Sequence, residues 1–132
     1  MKRKKFMTKQ KFFDRFIAVF ATGVPEKQIK RHLYSTEKYN NFLWHLFSWE
    51  LLPQNVYLTG DAARKAYNAA DKIDAEYIEW FEDDCTKKVT LEQKTAEQLE
   101  EYIEVYVVSK DFKWVYMKTH EGDCCGPYFM KI

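Results

Sequence analysis

The stretch Val105-Tyr106-Val107-Val108-Ser109-Lys110-Asp111-Phe112-Lys113-Trp114-Val115-Tyr116-Met117-Lys118 decides the fold. Two runs rich in β-branched and aromatic residues flank a polar turn, and such side chains favour extended backbone. Residues 105–108 and 113–118 therefore predict two strands joined through 109–112. Downstream, 119–126 reads as a polar loop, and 127–132 as a final edge strand, where a leading proline is tolerated. Upstream, Thr95-Ala96-Glu97-Gln98 has the capping-box pattern that opens a helix, here 96–102. Residues 87–91 predict an edge strand. Residues 75–81 predict a strand through Tyr77, Ile78, Trp80 and Phe81. A helix is the competing reading, because Ile73, Tyr77, Trp80 and Phe81 also fit a period near 3.6.

The first half changes character. From residue 9 to 21, Phe12, Phe13, Phe16, Ile17 and Phe20 share one helical face. Thr22, Gly23, Val24 and Pro25 stop that helix, and Pro25 can open a second one over 26–33, since proline suits a first turn. Ser35 or Thr36 can cap a third helix, whose stripe is Tyr39, Phe42, Leu43, Leu46 and Phe47 and which ends near Trp49. Residues 56–58 are a short strand or the approach to an alanine-rich helix over 61–70, capped by Thr59 or Asp61. Helices first and strands later argue α+β: N-terminal helices packed on a mostly antiparallel sheet formed by the C-terminal half. Residues 1–8 read as a basic tail and 9–132 as one domain, with no repeat and no low-complexity linker.

Composition bounds the function. Hydrophobic residues make up 46% of the 132-residue chain and aromatic residues 17%, enough for a core and too much for global disorder. The formal net charge is +1, so the basic excess of a general nucleic-acid binder is missing. Basic residues crowd the start, and Asp74, Glu76, Glu79, Glu82, Asp83 and Asp84 crowd the middle. Asp14 and Arg15 interrupt the early apolar run, which argues against a signal peptide. No apolar run reaches membrane-spanning length. Three cysteines, two of them adjacent, do not make a secreted disulfide framework. A cytoplasmic protein is the expectation.

The segment 119–129 carries the densest chemistry. It gathers His120, Glu121, Asp123, Cys124 and Cys125 and runs into Tyr128. A zinc site there lacks a second spaced pair, since only Cys85, His32 and His45 remain as donors. A nucleophilic cysteine needs a base such as His120 or His45 close by. An acid–base pair of His120 with Glu121 or Asp123 needs a bent loop, because strand neighbours point to opposite faces. The plain alternative is a turn made by Gly122 and Gly126 around small buried thiols. A second cluster surrounds His45, with Trp44 and Trp49 able to line a pocket or to cover the sheet. Gly-rich phosphate loops, nucleophile elbows and His-Glu-x-x-His helices do not occur.

Three segments together carry a resemblance: Phe42-Leu43-Trp44-His45-Leu46-Phe47-Ser48, then Phe112-Lys113-Trp114-Val115-Tyr116 with Thr119-His120-Glu121, then Cys125-Gly126-Pro127-Tyr128-Phe129. They resemble the small bacterial proteins grouped as domain of unknown function 4275. The resemblance implies a cytoplasmic bacterial protein with no assigned activity. It also implies one shared site from His45, Trp114, His120, Glu121 and the loop ending at Phe129. The candidate binding site is therefore His45, Trp49, Trp114, His120, Glu121, Asp123, Cys124, Cys125 and Tyr128, with no cofactor expected. A protein-binding module is the leading expectation, in one form an immunity-type protein offering Glu76, Glu79, Glu82, Asp83 and Asp84 as one acidic face to a basic partner. A small hydrolase or metal-dependent enzyme using His45, His120, Glu121, Cys124 and Cys125 is the alternative, and an oligomeric scaffold the third.

Overall fold

In the computed structural model, the residues described are 6–33, 43–121 and 125–132, with the side chain of His32 excepted. The elements are α1 (Lys9–Phe20), α2 (Glu26–Leu33), α3 (His45–Ser48), β1 (Tyr57–Thr59), α4 (Gly60–Ala69), β2 (Glu76–Glu79), β3 (Lys87–Lys88), α5 (Ala96–Leu99), β4 (Val105–Val108), β5 (Trp114–Lys118) and β6 (Tyr128–Lys131). The six strands form one antiparallel sheet in the order β1-β6-β5-β4-β2-β3. The chain is α+β, as the segregation of patterns predicts.

The central hairpin is buried on both faces. Tyr106, Val108, Val115 and Met117 join one hydrophobic cluster, while Val105, Val107, Trp114 and Tyr116 join another. Side chains alternate along a strand, so each cluster takes every second residue. The first cluster is completed by α1, α2 and α3, and the second by α4 and α5. The result is three layers with the sheet in the middle. This explains why residues 105–108 show an unbroken apolar run: a strand covered on both sides has no polar face.

Thr8 caps α1, its hydroxyl accepting from the Lys11 backbone N–H. Phe12, Phe13, Phe16 and Phe20 then project into the first core. Phe112 comes down on them from the β4–β5 turn, with ring centroids 5.9 Å from Phe12 and 6.3 Å from Phe20. Its backbone takes φ +58°, a left-handed conformation that disfavours a bulky residue. Burial of the whole phenyl ring, 1% exposed, offsets that cost. Residues 7 and 8 are anchored too: the Met7 N–H donates to the Thr86 hydroxyl, the Thr86 N–H donates to the Met7 carbonyl, and Thr8 bridges to Cys85.

Several expectations change. Residues 127–132 were expected to form an edge strand, but β6 lies between β5 and β1. The edge is supplied by β1, three residues from the first half of the chain, and Pro127 stands just before the ladder where its missing N–H costs nothing. The helix expected over 96–102 ends at Leu99, although its capping box of Thr95 and Gln98 forms as read. The strand reading of 75–81 holds, as β2. Among the described residues the third helix is one turn, α3; Ser35, Thr36, Tyr39 and Phe42 lie outside them.

One buried group lacks a match. Tyr116 stacks on Tyr67 at 4.6 Å, and its buried hydroxyl has no hydrogen-bond partner among the described residues. Burial raises its pKa, so the hydroxyl stays protonated. Leaving such a group unsatisfied costs roughly 1–3 kcal/mol. Tyr116→Phe is therefore expected to raise unfolding free energy by about 1 kcal/mol in urea titration. A loss of stability of that size would show that the hydroxyl is satisfied.

Candidate functional site

The hairpin register builds the site. Val105 pairs with Lys118, so one step beyond the ladder Glu104 meets the Thr119–His120 segment. The Glu104 side chain is fully buried. An ionised carboxylate in that position requires donors, and four reach it. Oε1 accepts from the His120 backbone N–H at 3.1 Å and lies 2.6 Å from His120 Nδ1. Oε2 accepts from the Trp44 indole Nε1–H at 3.1 Å and from the Tyr106 hydroxyl. Burial, followed by the charge of Glu104, pushes the Tyr106 phenol well above its ordinary pKa, which keeps it a donor.

The carboxylate thereby fixes one imidazole. Because a carboxylate only accepts, the tautomer assigned to His120 carries its proton on Nδ1, and the short contact sets the ring orientation. Nε2 lies on the other side of the ring, 3.6 Å from Glu121 Oε1. The His120 side chain is 30% exposed. Aromatic rings surround it: Trp44 approaches at 6.0 Å and Phe81 at 5.8 Å, both edge to face. His45 sits on the same indole, 4.8 Å from Trp44, and Trp49 follows at 6.4 Å from His45. Trp49 and Phe81 are 59% and 50% exposed, an unusual position for large aromatic side chains.

Of the residues named from sequence, His45, Trp49, His120 and Glu121 fall in this neighbourhood. Cys125 borders it: its N–H donates to the Glu121 carbonyl at 2.7 Å, and its carbonyl accepts from the Thr119 hydroxyl. Cys125 is disulfide-bonded, whereas Cys85 is a free, exposed thiol beside Thr8. Gly126 closes the loop at φ +107°, where a Cβ would meet the Thr119 side chain at 3.2 Å and the Tyr128 ring at 3.3 Å. Only glycine fits there without strain. Asp123 and Cys124 lie outside the described residues.

Two named residues go elsewhere. Trp114 belongs to the opposite face of the sheet, stacked on Phe129 at 5.7 Å. Tyr128 packs inside the first core on Phe47 at 4.6 Å, and burial pushes its phenol up to about 12. Glu104 itself was not picked out from sequence, nor was Tyr106. The signal was the hairpin: extending the pairing of 105 with 118 by one residue places an acid next to His120.

The expected acidic face loses two of its five carboxylates. Glu76 is buried and accepts from the Thr86 hydroxyl at 2.5 Å. Asp83 is 8% exposed, accepts from the Glu79 N–H and pairs with Lys87 at 2.9 Å. Two of the five carboxylates thus turn toward the interior, while Glu79, whose pKa burial raises first, lies close enough to Asp83 and Glu82 for their charges to raise it further. Among the described residues, no group of three or more His, Cys, Asp and Glu side chains is placed to hold a metal ion, and no helix is long and apolar enough to cross a membrane.

A family model described as domain of unknown function DUF4275 matches residues 2–129. No curated protein and no solved structure matches the chain.

Proposed function

The chain belongs to the DUF4275 family, and on that premise we propose that it is a non-enzymatic binding module taking a protein partner on the surface around His120. The observation that carries this reading is the pairing of a rigid centre with an apolar rim. Four donors on one buried carboxylate hold the His120 ring in place; Phe81 stands exposed beside it, and exposed Trp49 follows through Trp44 and His45. Interfaces draw most of their energy from a few aromatic anchors on a pre-organised support. Burial of Glu76 and Asp83 takes two of the five carboxylates away from the acidic face an electrostatic variant would use. Recognition instead combines ring contacts with a hydrogen bond at His120 Nε2.

Site-specific photo-crosslinking tests the proposal. A benzophenone side chain at position 49 or 81 is expected to trap one and the same protein in cells that make the chain. The same probe at exposed Lys27 is expected to trap none. Equal trapping at all three positions, or none at 49 and 81, would overturn the reading.

A second reading rests on the 2.6 Å contact of Glu104 with His120 Nδ1. A carboxylate that holds an imidazole is also the orienting half of an acid–base centre. In that reading His120 Nε2 moves protons in a hydrolysis. It requires turnover of ester or phosphoester substrates that disappears in His120→Gln.

A further inference from the structure

A different surface, on the other face of the sheet, remains uncovered. Helix α4 stops at Ala69, and a groove opens beside its end on this face. Leu58, Trp114 and Phe129 floor a groove there of about 580 Å³, walled by Ala66, Ala69 and Ala70. Alanines leave the groove open where larger side chains would fill it. Leu58 in the floor is 44% exposed. A second groove, about 470 Å³, adjoins the first at Asp71 and runs between Ile73 and the 89–94 segment. Ile73 and Leu91 on its rim are 75% and 76% exposed, the most of any large apolar side chain described. Exposed apolar side chains beside open grooves mark interaction sites.

Charge states what fits. Lys72, Lys94 and Lys131 line the two grooves against Asp71 alone. Lys72 reaches back to the carbonyls of Tyr67 and Ala70 at the end of α4. Burial lowers its pKa, and the nearby charge of Lys94 lowers it further. A carboxylate arriving between the two lysines would relieve that repulsion. A second copy seated on the same patch would bring lysines against lysines, which disfavours self-association here.

We propose that the paired grooves beside α4 dock an acidic segment of a protein partner, with aliphatic side chains entering between Ile73 and Leu91 and carboxylates facing Lys94 and Lys131. The aliphatic rim supplies the anchor, and the lysines select the charge. This surface lies on the opposite sheet face from the His120 rim, so it serves a separate contact.

Selection of a phage-displayed random 12-residue library on the intact chain tests it. The selected peptides are expected to combine Asp or Glu with Leu or Ile. A synthetic copy of the leading peptide is expected to bind the chain about ten-fold more weakly after Leu91→Ser and after Lys94→Glu, the loss typical of an anchor residue. Both positions are exposed, and circular dichroism checks that the variants stay folded. Peptides without acidic bias, peptides indifferent to both substitutions, or no enrichment would overturn the proposal. So would dimerisation, or binding to phosphatidylglycerol vesicles, that depends on Leu91 and Lys94 while the peptides do not.

Discussion

Glu104→Ala is expected to cost the fold about 3–5 kcal/mol, the range for removing one partner from a buried charged network. The loss is large because one side chain serves four donors. The Trp44 indole, the Tyr106 hydroxyl and both His120 nitrogens named above would face a void. Each unsatisfied buried donor carries its own desolvation penalty. Trp44 and Tyr106 belong to the first core, so packing cannot release them to water without opening it. Glu104→Gln keeps the volume but turns one acceptor into a donor, and its loss should be smaller than that of alanine. Urea unfolding of the three proteins reads the order directly. A cost below about 1 kcal/mol for alanine would mean that the carboxylate is not the hub of this network.

Phe12→Ala should destabilise the chain by a similar amount, about 3–5 kcal/mol, through lost burial and the cavity left behind. Phe12 is fully buried and lies against Phe112 at 5.9 Å and Tyr106 at 6.2 Å. Its effect reaches the site, because Tyr106 carries the hydroxyl that binds Glu104. Neighbours in one network are not additive, so Phe12→Ala combined with Tyr106→Phe should cost less than the two losses together. Thermal and urea denaturation of the single and double variants measure both quantities. Strict additivity would separate the α1 core from the site.

The hairpin of 105–118 and the phenylalanine face of α1 were plain in the sequence because each has a period that nothing else contradicts. The double covering of the sheet was also present, as the missing alternation in residues 105–108, but it was read only as strand. The interior position of β6 was not legible, since its neighbour β1 is three residues long and follows Pro53, Gln54 and Asn55. Glu76 illustrates a neglected rule: it shares a face with Ile78, two residues on, and so it points inward. Trp114 stands apart from His120 for the same reason. It alternates with Val115 and so faces α4 rather than α1. Glu104 is a local anomaly, an acid between Ile103 and Val105, whose meaning appears only when the strands pair. His120 and His45 were singled out by residue type, and the structure adds that one indole, Trp44, stands between them.

The bond between Glu104 and His120 organises everything proposed for this surface, and imidazole NMR examines it most directly. In a long-range ¹H–¹⁵N spectrum, His120 is expected to carry its proton on Nδ1, and that proton should exchange slowly with water. The signal should vanish or exchange rapidly in Glu104→Ala. A His120 ring protonated only at Nε2 in the unaltered protein, or one unaffected by loss of Glu104, would contradict the arrangement.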